Sequence, residues 1–434
     1  MSTPERLSIC IVTDAYLPAI GGVENHILYL SAELKRLGHD VVVVTHRIPP
    51  SQSQAIRQVE SPVPVHRLAG GLLLFREHDI AIDPRMVSSF KRLLNDQGPD
   101  KLGTRSSEKG DSPWSRSGHD PKSSADFGHV PVSRARFDIV HGQSEGSYLV
   151  YEALAAARQR GIATVLTRHS MIRNKPPVVR SLLISLTKLL ARRADGLIAV
   201  SRSCAEESAG FPGPVRVIPN GVDTTEFRPM PAERRRLRAE LGFSDSDVVL
   251  GYIGRLHTTK GIPLLLDVFE QLRREDARLK LLLAGPGPLR GAVEERARAS
   301  CGAITLLEPQ PFDRVAPVLN ALDVFAFPSK GEGFGISLLE AMACGLPSVT
   351  FGRWGVKELV IDEETGLLAG GPAEFSEKLR QLTSDSRLRE RLGRAALASV
   401  EEKFSWPRIA AETVAFYREL VRSRVLSAGD PAET

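Results

Sequence analysis

Cysteine is scarce in this chain: four in 434 residues, at positions 10, 204, 301 and 344. Their spacing suits neither a disulfide framework nor a zinc site. Long apolar runs are missing too, and nothing approaches the roughly 18 uninterrupted residues of a membrane span. No secretory leader is evident, because Met1–Leu7 runs straight into a strand-like segment. Charge imbalance is small, with 57 Lys and Arg against 52 Asp and Glu leaving +5. That is too little to argue for nucleic acid, though it suits anionic small molecules or a loose peripheral contact with an acidic membrane face. No short-period repeat is present. The expectation is a cytoplasmic globular chain of two or three domains.

What is present alternates regularly. Leu7–Thr13 is a β-branched apolar run, followed by a Pro/Gly loop, a helix-like stretch over Val23–Leu37, Gly38, and a second Val-rich run over Asp40–Thr45. Strand, loop, helix, glycine, strand is the pattern of a βαβ unit on a parallel sheet. It recurs with Phe137–His141, Tyr148–Arg160, Thr164–Thr167 and Gly196–Val200, giving one doubly wound domain over residues 1–210. Residues 97–136 are poor in apolar side chains and read as a disordered insertion. Phe211-Pro-Gly-Pro214 reads as an interdomain hinge. The apolar runs Val215–Ile218, Val248–Ile253, Leu279–Leu283, Ile304–Leu307, Val324–Pro328 and Ser348–Phe351 then form a second doubly wound domain over 215–404. A last amphipathic helix, Trp406–Val421, lies within 405–423. The charged stretch Glu233–Glu240 reads as a solvated helix face. Pro176–Arg193 carries apolar residues on one side and Arg180, Lys188, Arg192 and Arg193 elsewhere, a pattern shared by membrane-docking elements and by helices packed on their own sheet.

Ligands of open α/β sheets sit at the carboxyl ends of the strands. The loop after Val324–Pro328 carries Gly331, Glu332, Gly333, Phe334 and Gly335 before a helix that starts near Ile336, contains Glu340 and ends at Gly345. Its unpaired amides and positive dipole end suit a diphosphate, and its two carboxylates could each address a sugar ring. The loop after Val248–Ile253 offers Arg255 and Lys260, one a planar fork for phosphate oxygens and the other a mobile point charge. On the first domain, Gly21-Gly22-Val23-Glu24 opens a helix, and Thr167-Arg-His169-Ser170 ends a strand. His141-Gly-Gln143-Ser-Glu145 is a third strand-end loop.

Taken together these residues resemble the retaining family-four glycosyltransferases of GT-B fold. The resemblance spans almost the whole chain outside 97–136. It rests on Gly-Gly-Val-Glu at 21–24, Ile-Pro-Asn-Gly-Val-Asp at 218–223, Gly-Arg…Lys-Gly at 254–261, Gly-Pro-Gly-Pro at 285–288, and Glu332 with Glu340. It implies two Rossmann-like domains facing each other across a cleft and transfer of a sugar from a nucleotide sugar to a hydroxyl-bearing acceptor with retention. It also implies that Arg255, Lys260 and the amides of Phe334, Gly335 and Ile336 bind the diphosphate, with Gly333 also on the donor side. Glu332 would hold hydroxyls of the transferred sugar, Glu340 the ribose, and Gly22 the diphosphate from across the cleft, while His169 would lie near the reacting carbon. Glu24, Gln143 and Ser170 fall on the acceptor side. No metal or cofactor is implied, in keeping with the absence of a paired-Asp motif.

The stretches Asp14–His26, Val43–His46 and Arg168–Met171 are most similar to transferases acting on inositol-type acceptors, which points to UDP-N-acetylglucosamine as donor. One departure stands out: relatives usually carry Gly-Gly-(Ile/Val)-Pro-Glu where this chain has Trp354-Gly-Val-Lys357-Glu358. Competing readings are a nucleotide-sugar epimerase or phosphorylase, and a non-catalytic nucleotide-sugar-binding protein. A dinucleotide oxidoreductase is rejected because Gly285–Gly291 has the wrong glycine spacing.

Overall fold

The computed structural model describes residues 5–14, 16–17, 21–46, 61–68, 72–75, 80–82, 84–95, 137–143, 146–171, 185 and 187–428. The 97–136 insertion and most of Pro176–Arg193 lie outside these.

Fifteen strands are described, β1 (Ser8–Val12), β2 (Asp40–His46), β3 (Val65–Leu68), β4 (Leu72–Phe75), β5 (Ile80–Ile82), β6 (Ile139–Gln143), β7 (Ala163–Arg168), β8 (Gly196–Ala199), β9 (Val215–Val217), β10 (Val248–Ile253), β11 (Leu279–Ala284), β12 (Ile304–Leu307), β13 (Val324–Phe327), β14 (Ser348–Phe351) and β15 (Leu367–Ala369). The first sheet runs β3-β2-β1-β6-β7-β8-β9 and the second β12-β11-β10-β13-β14-β15, with β4 and β5 forming a separate antiparallel pair. All pairings in the two large sheets are parallel. Their central strands are continuous apolar runs because helices cover both faces, and β1, β6 and β10 are buried throughout. Strand order reverses between β1 and β6 in one sheet and between β10 and β13 in the other. The carboxyl ends of these four strands are therefore the switch points where a ligand is expected.

The domain boundary differs from its sequence reading. β9 pairs with β8 through Leu197–Val215, Ile198–Arg216 and Ala199–Val217, so Val215–Val217 is the edge of the first sheet, not the start of the second. Phe211–Pro214 is accordingly a turn within the first domain. A three-residue edge strand after Pro-Gly-Pro offers no local signal of which sheet it joins. The chain crosses after β9 and returns before Trp406, and the two crossings touch in a β-bridge between Val222 and Ser405. The last helix runs Trp406–Ala428, longer than its apolar pattern suggested. Its Trp406, Ile409, Phe416, Tyr417 and Leu420 share a buried cluster with Ile9, Ile11, Ile27 and Leu30 of the first domain.

The helix Pro231–Glu240 is only partly a solvated face. Arg236 pairs with Glu233 and Glu240 at the surface, but Arg238 is buried against Asp323 at 3.0 Å, and Arg234 reaches the same carboxylate at 2.6 Å. Asp323 also accepts from Val249 N at 2.8 Å, tying this helix to β10.

Candidate active site

The loop after β10 makes one turn of 3₁₀ helix, Thr258–Lys260, before the helix Ile262–Glu275. Arg255 is exposed on it. Lys260 Nζ forms an ion pair with Glu332 Oε1, and Ser329 Oγ donates to the same oxygen at 2.7 Å. Lys330 N donates to Thr259 O at 3.0 Å, so the loops after adjacent strands β10 and β13 are laced together. The Gly-Pro-Gly-Pro loop backs them, with Gly285 and Gly287 against the carbonyls of Gly254 and Leu256.

The helix Ile336–Ala343 starts after Gly335, whose φ of 109° lies in the left-handed region, and no side chain caps its end. Its first amides and positive dipole end therefore face the cleft without a protein cap. Gly22, at the start of the helix Gly22–Arg36, stands opposite: a Cβ there would lie 3.0 Å from Ile336 Cδ1. The domains also touch at Gly333, where a Cβ would fall 2.3 Å from the His169 carbonyl oxygen. The Cys204 thiol lies 3.7 Å from Gly333 O and 3.9 Å from Ser170 O. Glu358 Oε1 accepts from Arg202 N at 2.7 Å, joining the second domain to the start of the helix Arg202–Glu207. Thus Gly22, His169, Lys260, Glu332 and the start of the 336–343 helix converge on one cleft.

His169 is held from behind. Its Nε2–H donates to Gln143 Oε1 at 2.7 Å, and the Gln143 amide nitrogen lies 3.2 Å from His141 Nε2. Gln143 is wholly buried in β6. It lies behind His169 with no exposed surface, whereas its strand-end place had put it on the acceptor side; alternation alone does not reveal that a strand-end side chain points inward. Glu24 sits in the first turn of its helix, folded back over Gly21, and Ser170 is exposed beside His169.

Glu340, read from the sequence as a ribose contact, is covered by residues of the first domain and the crossovers. Its side chain is buried in a small pocket with Asn25, His26, Tyr29, Asp223, Phe227 and Trp406, beside the crossovers. Burial, reinforced by the nearby Glu226 carboxylate, pushes its pKa up to about 8. Tyr29 OH donates to Glu226 Oε2 at 2.7 Å in the same region. Sequence spacing shows how far apart two carboxylates lie, but not that a neighbouring domain covers one of them.

Burial lowers the pKa of His26 to about 4, opposed by Asn220, and that of His141 to about 3, with His26 adding to the effect. Both are neutral when folded and take up protons on unfolding below about pH 6.5. Glu340 acts oppositely, releasing its native proton on unfolding above about pH 4.5. With His169, which burial also holds well below its ordinary pKa, unfolding takes up three imidazole protons and releases one carboxyl proton between about pH 4.5 and 6.5, a net of two, so stability falls on acidification by about 2.7 kcal/mol per pH unit. From about pH 6.5 to 8 only Glu340 contributes, and stability falls as pH rises. Urea melts should peak near pH 6.5; a profile flat from pH 5 to 8 would contradict these assignments.

Trp354 has φ 58°, a left-handed conformation uncommon for a bulky residue, at the turn where relatives were expected to carry glycine. The turn lies directly on the 331–335 loop, with a Gly355 Cβ placed 2.0 Å from Gly333 O.

Residues 21–221 match the family described as Glycosyl transferase 4-like domain, and residues 247–385 match Glycosyl transferases group 1. The chain is 30% identical over 326 residues to alpha-maltose-1-phosphate synthase of Mycolicibacterium smegmatis, covering 68% of this chain and 82% of that one. It belongs to the group 1 glycosyltransferases. This glycosyltransferase is also 28% identical over 390 residues to a component of the phosphatidylinositol N-acetylglucosaminyltransferase of Arabidopsis thaliana, covering 88% of this chain and 76% of the relative. Its fold is GT-B. Sucrose-phosphate synthase of Thermosynechococcus elongatus matches with a TM-score of 0.71 at 22% identity, over 96% of this chain and 100% of that one. Anabaena HepE, solved with UDP and glucose, matches at 0.70 and 18% over 95% and 99%. The glycosyltransferase is thus a transferase enzyme, and none of its described helices is long and apolar enough to cross a membrane.

Proposed function

We propose that the enzyme transfers a sugar from a uridine diphosphate sugar, foremost UDP-N-acetylglucosamine, to a hydroxyl of an inositol-type acceptor, with the anomeric configuration retained. The observation that carries this reading is the Lys260–Glu332 pair facing the uncapped start of the Ile336–Ala343 helix, with Gly22 across the cleft. Without donor, each charge compensates the other. With donor, Lys260 turns with Arg255 to the diphosphate, and Glu332 accepts from hydroxyls of the transferred sugar. The 334–336 amides bind the same diphosphate. Glu340 meets the ribose once the cleft has opened to admit the nucleotide. The inositol acceptor and the N-acetylglucosamine donor are supported by the activity for which the Arabidopsis relative is named, and the uridine nucleotide by the ligand in the Anabaena structure.

The acceptor oxygen forms its bond to the anomeric carbon on the face from which the phosphate oxygen departs, and that oxygen takes the acceptor proton. Arg255, Lys260 and the helix start meet the developing negative charge, with no metal required. His169 lies beside the donor sugar near the reacting carbon, and Glu24 and Ser170 line the acceptor side. Closure about the 222–405 bridge excludes water and limits donor hydrolysis.

Proton NMR of the first product formed from UDP-N-acetylglucosamine and myo-inositol tests this reading. An α-anomeric doublet is expected; a β-linked product, or no transfer to any of a panel of inositol phosphates and inositol lipids, would overturn it.

A further inference from the structure

We infer that Gln143 is a positioning residue that fixes the aim and protonation form of His169, and that the returning C-terminal helix takes part in this through Tyr417. The inference rests on the proposed placement of His169 beside the donor sugar.

The support is a buried chain of hydrogen bonds. His169 Nε2 meets Gln143 Oε1 at 2.7 Å; Gln143 Nε2 lies 3.2 Å from His141 Nε2 and 3.4 Å from its Nδ1, so its NH₂ sits over the imidazole face; His141 Nδ1 meets the Tyr417 hydroxyl at 2.5 Å, and its Nε2 meets the Thr167 hydroxyl at 2.6 Å. A glutamine amide has one accepting and one donating end. With its NH₂ turned to His141, its oxygen faces His169, which must then carry a proton on Nε2. On the other side the His26 ring stands edge-on to His169, centroids 4.8 Å apart, and Trp406 stands 5.3 Å from His26. His169 is thus gripped by Gln143 and His26; Trp406 of the last helix backs His26 directly, and Tyr417 reaches Gln143 only through His141.

The titratable groups that act on His169 are His26 from the first helix and His141 from β6. Burial first, then these two imidazoles, hold the His169 pKa well below its ordinary value. A neutral ring with its Nε2–H committed to Gln143 is a fixed polar contact to the sugar rather than a proton shuttle.

Full-length protein labelled with ¹⁵N-histidine tests this by two-bond ¹⁵N–¹H correlation, with His169 assigned from its loss in His169→Ala. The wild type should show one neutral Nε2–H tautomer for His169 from pH 5.5 to 8. Gln143→Leu should give mixed tautomers and lower kcat for UDP-N-acetylglucosamine hydrolysis by at least about tenfold, with KM within about twofold. Gln143→Glu keeps an acceptor for Nε2–H, so its kcat should return to within about threefold of wild type at pH 8. The acid limb of its rate profile should move up in pH. Tyr417→Phe should disturb the His169 signal while the helix stays packed, and it carries the same readouts should Gln143→Leu not fold. A wild-type tautomer and rate in both Gln143→Leu and Tyr417→Phe, with activity lost in His169→Ala, would overturn the positioning role alone. A wild-type rate in His169→Ala would instead overturn the proposed place of His169 in the reaction.

Discussion

Lys260→Ala and Glu332→Ala should each lower turnover by at least about 10²-fold, the usual cost of removing a charge that meets the transition state. The two side chains form one ion pair on adjacent strand-end loops, with Ser329 also bound to the carboxylate. Removing either one deletes its own substrate contact and leaves the other charge without its partner. The double variant should therefore lose much less than the product of the single losses. Steady-state rates of UDP release across the four proteins check this. Near-wild-type rates in both single variants would remove the site assignment.

Gly333→Ala should be nearly as damaging by a different route. The added methyl carbon would fall 2.3 Å from the His169 carbonyl oxygen, a backbone atom of the opposite domain. Neither backbone can turn aside as a flexible side chain could, so the cleft must open. A displacement of about 1 Å between reacting groups can cost on the order of 10²-fold. Nucleotide affinity should stay within a few fold, because the two cations proposed to bind the diphosphate, Arg255 and Lys260, both lie on the second domain. Turnover with unchanged UDP affinity is the measurement, and a wild-type rate would show that this contact is not part of the working closed state.

Much of this arrangement was legible in the chain itself. Buried parallel strands are written as short apolar runs, and the glycines, cations and carboxylates after β1, β10 and β13 sit at the switch points because topology places them there. What could not be read depends on contacts between distant segments. Val215–Val217 joins the first sheet through three residues of pairing. Gln143 looks like any polar strand-end residue until His169 and His141 are placed on either side of it. Glu340 looks like a cleft residue until Tyr29, Asp223 and Trp406 close around it. Tyr417 carries no signal beyond its place on an amphipathic helix, because its partner lies 276 residues earlier in the chain.

The most direct test of a nucleotide-sugar donor on the second domain is thermal stabilisation by UDP, UDP-N-acetylglucosamine, GDP, GDP-mannose and NAD at equal concentration. A ligand at 100 times its dissociation constant adds about 2.7 kcal/mol of stability. Stabilisation by the uridine nucleotides alone, lost in Lys260→Ala, is the expected result. Stabilisation by NAD, or by no nucleotide at all, would contradict it.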